Sequence, residues 1–161
     1  MGIVLFRVDE RLIHGQVVVG WGSELRASRY VVFDDHLATS AWEQDLYTLA
    51  LPPTAVAEFW STSEAVRVLP EIREDPRPSV VLLRSLEVVS FLGERAFRPG
   101  DALNLGGLPH KPGATAVRPY LHVDQADAGI LKTLHERGIK VYGRDLPSSA
   151  SVSPEELLAC R

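Results

Sequence analysis

Val80-Val81-Leu82-Leu83-Arg84-Ser85 decides the fold: four consecutive apolar residues run out into a guanidinium and a hydroxyl. A strand with no polar alternation is buried on both faces, the condition of a strand inside a parallel sheet covered by helices. Working outward, similar short apolar runs lie at 3–6, 30–33, 55–59, 102–105, 120–123 and 139–142. Helical spacing separates them. Residues 41–51 align Trp42, Leu46 and Leu49; residues 63–69 align Val66 and Leu69 behind a Ser-x-x-Glu-like start at Thr62 or Ser63. Residues 124–137 form the clearest helix, with Asp124 as N-cap, Ile130, Leu131 and Leu134 on one face, and Gly138 beyond its end. Strands alternating with helices imply right-handed crossovers. The expected architecture is an α/β three-layer sandwich, a central mainly parallel β-sheet covered by helices on both faces, in a single domain over 1–161.

Residues 15–25 are locally ambiguous. Val17-Val18-Val19 with Gly20 and Gly22 favours a strand or a broken element, and a helix there requires burial to override propensity. The polar, proline-containing segments 73–79 and 109–119 read as surface loops. The three tryptophans, 21, 42 and 60, read as core or helix-packing residues, with a partner contact as the alternative for Trp21.

Composition narrows the function classes. A chain of 161 residues, 45% hydrophobic and 24% charged, is long enough to bury a core and has the balance of a soluble globular domain. Its net charge of −4 argues against nonspecific nucleic-acid binding, which needs a basic face. The one cysteine, Cys160, has no partner for a disulfide, which fits a reducing compartment. No secretion signal and no apolar span of about 20 residues is present, and Phe6 stands where a myristoylation signal has Ser or Thr. The expected location is the cytoplasm.

Ligands of open parallel sheets bind outside the carboxyl ends of the strands. Here those ends are polar: Arg7-Val8-Asp9-Glu10-Arg11 leading to His14-Gly15-Gln16, Asp34-Asp35-His36, Arg84-Ser85, and Asn104-Leu105-Gly106-Gly107. A neutral imidazole is a nucleophile, and a nearby carboxylate can select which ring nitrogen is free. Arg7, Arg11 and Arg84 are candidate forks for a phosphoryl group, and Gly15, Gly106 and Gly107 let backbone N–H groups approach one. A helix starting at Gly15 would add a favourable field of about 0.3–1 kcal/mol. Residue types alone leave His14 open between phosphoryl carrier and structural histidine. Asp34-Asp35 reads equally as a helix cap, and Gly106-Gly107 as a tight turn.

The eleven residues from Arg7 to Val17 closely resemble the active-site loop of the IIB components of the mannose/fructose/sorbose family of the bacterial sugar phosphotransferase system. The likeness extends along the chain. Residues 30–35 resemble the family's second strand and acidic turn, Leu51-Pro52-Pro53 its alanine-proline step, Asn104–Gly107 its asparagine-x-glycine-glycine loop, and 138–147 its last strand and closing proline. The resemblance implies that His14 carries a phosphoryl group on Nδ1. It would be received from a IIA phosphodonor and passed to a hexose-type sugar held by the membrane partners IIC and IID. Arg11 is implied as the second catalytic residue. Arg7, Asp9, Gly15, Gln16, Asp35, Arg84, Asn104, Gly106 and Gly107 are candidates around the phosphoryl group. No cofactor, metal or nucleic acid is expected, and the location implied is cytoplasmic, or peripheral to the inner membrane through IIC/IID.

Three places depart from the family pattern. Arg84 replaces a usual aromatic residue, Ala114 a commonly basic one, and Pro119-Tyr120-Leu121-His122 smaller polar residues, while Lys111 keeps a basic side chain. Of the other histidines, His36 reads as a solvated turn residue, His110 as a rim or surface residue, and His122 and His135 as structural. Three functions follow in order: a sugar phosphocarrier, a regulatory phosphorylation module using the same His14 without transport, and an anion-binding domain without covalent chemistry.

Overall fold

A computed structural model describes residues 2–160. The chain begins with β1 (Ile3–Asp9), a π-helical turn (Gln16–Trp21) continuing as α1 (Gly22–Leu25), β2 (Arg29–Phe33), α2 (Asp35–Ala38) and α3 (Ala41–Thr48). There follow β3 (Val56–Trp60), a 3-10 turn (Thr62–Glu64) leading into α4 (Ala65–Glu74), β4 (Ser79–Leu83) and α5 (Leu86–Leu92). The remainder comprises β5 (Ala102–Gly107), β6 (Thr115–Arg118), β7 (Leu121–Val123), α6 (Gln125–Glu136), β8 (Lys140–Gly143) and α7 (Pro154–Leu158).

Six strands form one parallel sheet in the order β3-β2-β4-β1-β5-β8. Successive side chains of a strand point to opposite faces, and both faces are apolar here. On one side Phe6, Val8, Val31, Phe33, Val81 and Leu83 pack against α4, α5, α6 and α7. On the other, Leu5, Tyr30, Val32, Val80 and Leu82 pack against Val17, Val18, Trp21 and Leu37. The all-apolar run at 80–83 is thus buried on both sides, and the expected three-layer α/β sandwich is the observed one. The connection from β1 leaves to one face while those from its neighbours β4 and β5 leave to the other. This parting opens a crevice at the carboxyl end of β1.

Several local expectations are corrected. Residues 15–25 are helical, beginning with a wide π turn. Burial of Val17, Val18 and Trp21 overrides their low helix propensity. The segment 109–119 is not all loop, because Thr115–Arg118 pairs antiparallel with β7. The strand expected at 120–123 therefore belongs to this two-stranded sheet, not the central one. The capping box before α4 is formed by Ser61 and Glu64, one residue earlier than expected, and the helix runs on through Pro70 to Glu74. Helix α3 stops at Thr48 and buries no residue, so Trp42 is 67% exposed and Leu46 and Leu49 also face solvent. Trp42 is therefore not a core residue. Helix α3 lies beside β3, with Tyr47 against Phe59, and β3 is an edge strand whose own side chains are only partly covered. Helices α5 and α7 carry no periodic signal long enough to read. Each is announced at its start: the Ser85 side chain accepts from the Val88 N–H, and the Ser153 side chain accepts from the Glu156 N–H with Pro154 opening the helix.

Candidate functional site

The alternation of β1 places Arg7 and Asp9 on the same face, and parallel pairing sets Arg7 beside Asn104 and Asp9 beside Gly107 of β5. Arg7 is completely buried. Its Nη2 donates to Asp9 Oδ2 at 2.9 Å, and its Nη1 donates to Asn104 Oδ1 at 2.7 Å and to the Arg144 carbonyl at 3.1 Å. Asn104 Nδ2 donates to that same carbonyl at 3.1 Å. Trp21 lies 5.8 Å from the guanidinium and donates its indole N–H to the Asp145 carbonyl at 2.8 Å.

Two glycines make room for this group. A Cβ on Gly106 would fall 1.9 Å from Arg7 Cζ, and one on Gly107 would fall 2.8 Å from Asp9 Oδ1. Both glycines lie within β5, so the tight-turn alternative is set aside.

Beyond Asp9 the chain leaves the sheet in a tight loop. Leu12 takes a left-handed backbone, φ 56°, and its buried side chain holds it there. The turn brings His14 back over Asp9, with Nε2 2.7 Å from Oδ2 and the side chain 14% exposed. A carboxylate only accepts, so Nε2 carries the hydrogen and donates it. Among the described residues Nδ1 has no hydrogen-bond partner. The His14 carbonyl accepts from the Val17 and Val18 N–H groups at the start of the π turn, which begins two residues past the imidazole.

Burial alone would raise the Asp9 carboxyl. The His14 hydrogen bond, the Arg7 charge and the Arg11 backbone N–H outweigh it and hold the group below the ordinary carboxylate range. Burial also pulls the Arg7 guanidinium below its ordinary value, against the Asp9 charge. Arg11 is mostly outside this buried set: its side chain is 55% exposed, and Nη2 donates to Gln16 Oε1 at 3.0 Å.

The structure thus gathers Arg7, Asp9, His14, Asn104, Gly106 and Gly107 into one stack, with Arg11, Gly15 and Gln16 at its mouth. Arg84 and Asp35 are engaged elsewhere on the rim. Asp35 accepts from the Thr62 N–H and hydroxyl at 2.7 and 2.9 Å, tying α2 to the turn after β3. Arg84 pairs with Asp34, whose carboxylate also caps α2 by accepting from Leu37. Burial opposes ionisation of Asp34, and the Arg84 and Leu37 hydrogen bonds overcome it, leaving its carboxyl below the usual range.

His36 is exposed and pairs with Glu43 at 2.6 Å. The rings of His110 and His122 meet edge to face at 5.5 Å, and Lys111 reaches Asp124 and Asp127 at 3.1 and 2.7 Å. Arg144 and Asp34 were not among the expected site residues. A main-chain carbonyl leaves no mark in a sequence, whereas Asp34 stood in plain view as the first of an acidic pair.

Fold and site together define a parallel α/β domain that seats a histidine on a buried carboxylate at the carboxyl end of its first strand. Residues 3–161 match the model of the PTS system sorbose subfamily IIB component, and the chain belongs to that family. Its first curated relatives include the mannose-specific EIIAB component of Escherichia coli, 29% identical over 159 residues; the match covers 99% of this chain but only 49% of that protein's length. The fructose-specific EIIB component of Bacillus subtilis is 28% identical, covering 94% of this chain and 92% of that protein. Among solved structures, the IIBSor domain of the sorbose permease from Klebsiella pneumoniae superposes with a TM-score of 0.84 at 26% identity, covering 98% of this chain and 96% of that one.

Proposed function

We propose that the chain is a phosphocarrier in which His14 Nδ1 accepts a phosphoryl group from the phosphohistidine of a IIA protein and yields it to a sugar held by membrane IIC/IID partners. The observation that carries this reading is the 2.7 Å contact between His14 Nε2 and Asp9 Oδ2, which commits one ring nitrogen and leaves the other with its lone pair. In the first step the Nδ1–P bond forms as the donor's N–P bond breaks, and that electron pair returns to the donor ring. Nε2 keeps its hydrogen throughout, so the phosphorylated ring is cationic and rests on the Asp9 carboxylate. In the second step a sugar hydroxyl attacks phosphorus and loses its proton to a base on the acceptor side. The N–P electrons return to Nδ1, and the neutral ring is restored without a further proton.

The other residues take supporting parts. Arg11, Gly15 and Gln16 are set to meet the phosphoryl oxygens, the guanidinium being exposed and the helix start presenting N–H groups. Arg7 and Asn104 act beneath them. With its donors already committed, Arg7 serves as the cation that fixes Asp9 rather than as a phosphoryl ligand. Gly106 and Gly107 serve as the space this requires. Asp35 anchors the rim through Thr62. No cofactor enters either step. Among the described residues no helix is long and apolar enough to cross a membrane, and the reading places the domain at the cytoplasmic face, meeting the permease from that side.

Incubation with a phosphorylated IIA protein tests the proposal. Intact mass should show one acid-labile phosphoryl group, phosphorus NMR should place it on Nδ1, and His14→Ala should abolish it. A folded chain that takes no label from its cognate donor overturns the reading. Addition of membranes bearing IIC/IID should then discharge the label to sugar phosphate.

A further inference from the structure

Arg84 follows β4 at the rim with its side chain 39% exposed. Its guanidinium is divided between two strand ends. Nε and Nη2 donate to the Asp34 carboxylate at 2.9 and 3.3 Å, and Nη1 donates to the Glu10 carbonyl at 3.2 Å. That carbonyl belongs to the same peptide unit as the Arg11 N–H, which donates to Asp9 Oδ1 at 3.0 Å. One peptide plane is therefore held from both sides, by a cation on its oxygen and a carboxylate on its nitrogen. Because a peptide unit is rigid and turns only about its flanking dihedrals, holding both ends sets the direction in which the Arg11 side chain departs.

The anchor is itself fixed. Asp34 caps α2 through Leu37 at 3.0 Å, and its own N–H donates to the Trp60 carbonyl at 2.9 Å.

We infer that Arg84 is a positioning residue: by clamping the Glu10–Arg11 peptide to the Asp34 cap, it sets the approach of the Arg11 guanidinium to a phosphoryl group on His14. The inference rests on the phosphocarrier reading above. It also gives the arginine that departs from the family pattern a role that touches no phosphoryl oxygen. Lysine retains the charge but lacks the fork that serves two divergent acceptors.

A double-mutant cycle on the full chain tests this, with rapid-quench phosphorylation by a phosphorylated IIA donor. Misplacing a group that contacts the transition state acts on the maximal rate, so Arg84→Gln should lower that rate about tenfold and leave the half-saturating donor concentration nearly unchanged. In an Arg11→Ala background Arg84→Gln should add little, and Arg84→Lys should recover part of the loss in the parent. The Arg11 amide resonance should shift in Arg84→Gln while those of β4 stay in place. Equal slowing in both backgrounds, or no slowing in either, overturns the inference alone. Absence of label on the parent chain overturns it together with the phosphocarrier reading. Thermal midpoints accompany each variant, and if Arg84→Gln unfolds, Arg84→Lys and Asp34→Asn carry the same cycle.

Discussion

Asp9 is the residue on which the buried charges converge. It accepts from Arg7, from the Arg11 backbone and from His14, and its carboxyl is held below the ordinary range. A group whose folded value is depressed adds stability above its unfolded value of about 3.9, and that contribution is lost as pH falls through the folded value. Asp9→Asn should therefore flatten the acid limb of the stability curve below about pH 4, relative to the parent. At neutral pH it should cost about 3–5 kcal/mol, because Arg7 is left buried without its counter-charge. Urea midpoints from pH 3 to 7 measure both effects, and an acid limb identical to the parent's would place the titration on other carboxylates. His14 and its neighbours are legible as a motif, but the complete burial of Arg7 is not. A strand-end arginine reads as a fork for an anion; only the covering layer, with Trp21 above it and Asn104 beside it, turns it into a buried support.

Among the elements, β1 and β5 carry the site as a register-matched pair. Gly106 faces Arg7 across that pair, and a methyl there would displace the guanidinium. Gly106→Ala should destabilise by about 1–3 kcal/mol through overpacking, rising toward 3–5 where the Arg7–Asp9 pair is broken. Thermal denaturation with the phosphorylation assay checks this, and a variant of parental stability and rate contradicts it. The elements that escaped sequence reading did so for physical reasons. Thr115–Arg118 is four residues between proline-bearing turns, too short to show a period, and Leu86–Leu92 mixes valines into a single exposed-to-buried turn pattern. The π turn at Gln16–Trp21 is held by tertiary burial, which local propensity does not record. In α3 the spacing of Trp42, Leu46 and Leu49 correctly marked a helix, but periodicity gives no direction to the face, and this one points outward.

At the scale of the molecule, β1, β2 and β4 each contribute to both apolar layers, so neither layer can melt while the other stays folded. Leu82 and Leu83 are neighbours on β4 that serve opposite layers. Leu82→Ala and Leu83→Ala should each cost about 2–5 kcal/mol. Each should also lower a single urea transition in which far-ultraviolet and near-ultraviolet circular dichroism coincide. Two separated transitions in either variant would show that the layers are independent. The same unity has a consequence for biosynthesis. Arg7 rests on the carbonyl of Arg144, just past the last strand of the central sheet. The loop that bears His14 is synthesised before β8, yet it receives its support only after β8 has been made. A chain stalled before β8 thus carries His14 and Asp9 without the Arg144 carbonyl on which Arg7 rests, and under the proposed phosphocarrier reading it should take no phosphoryl label.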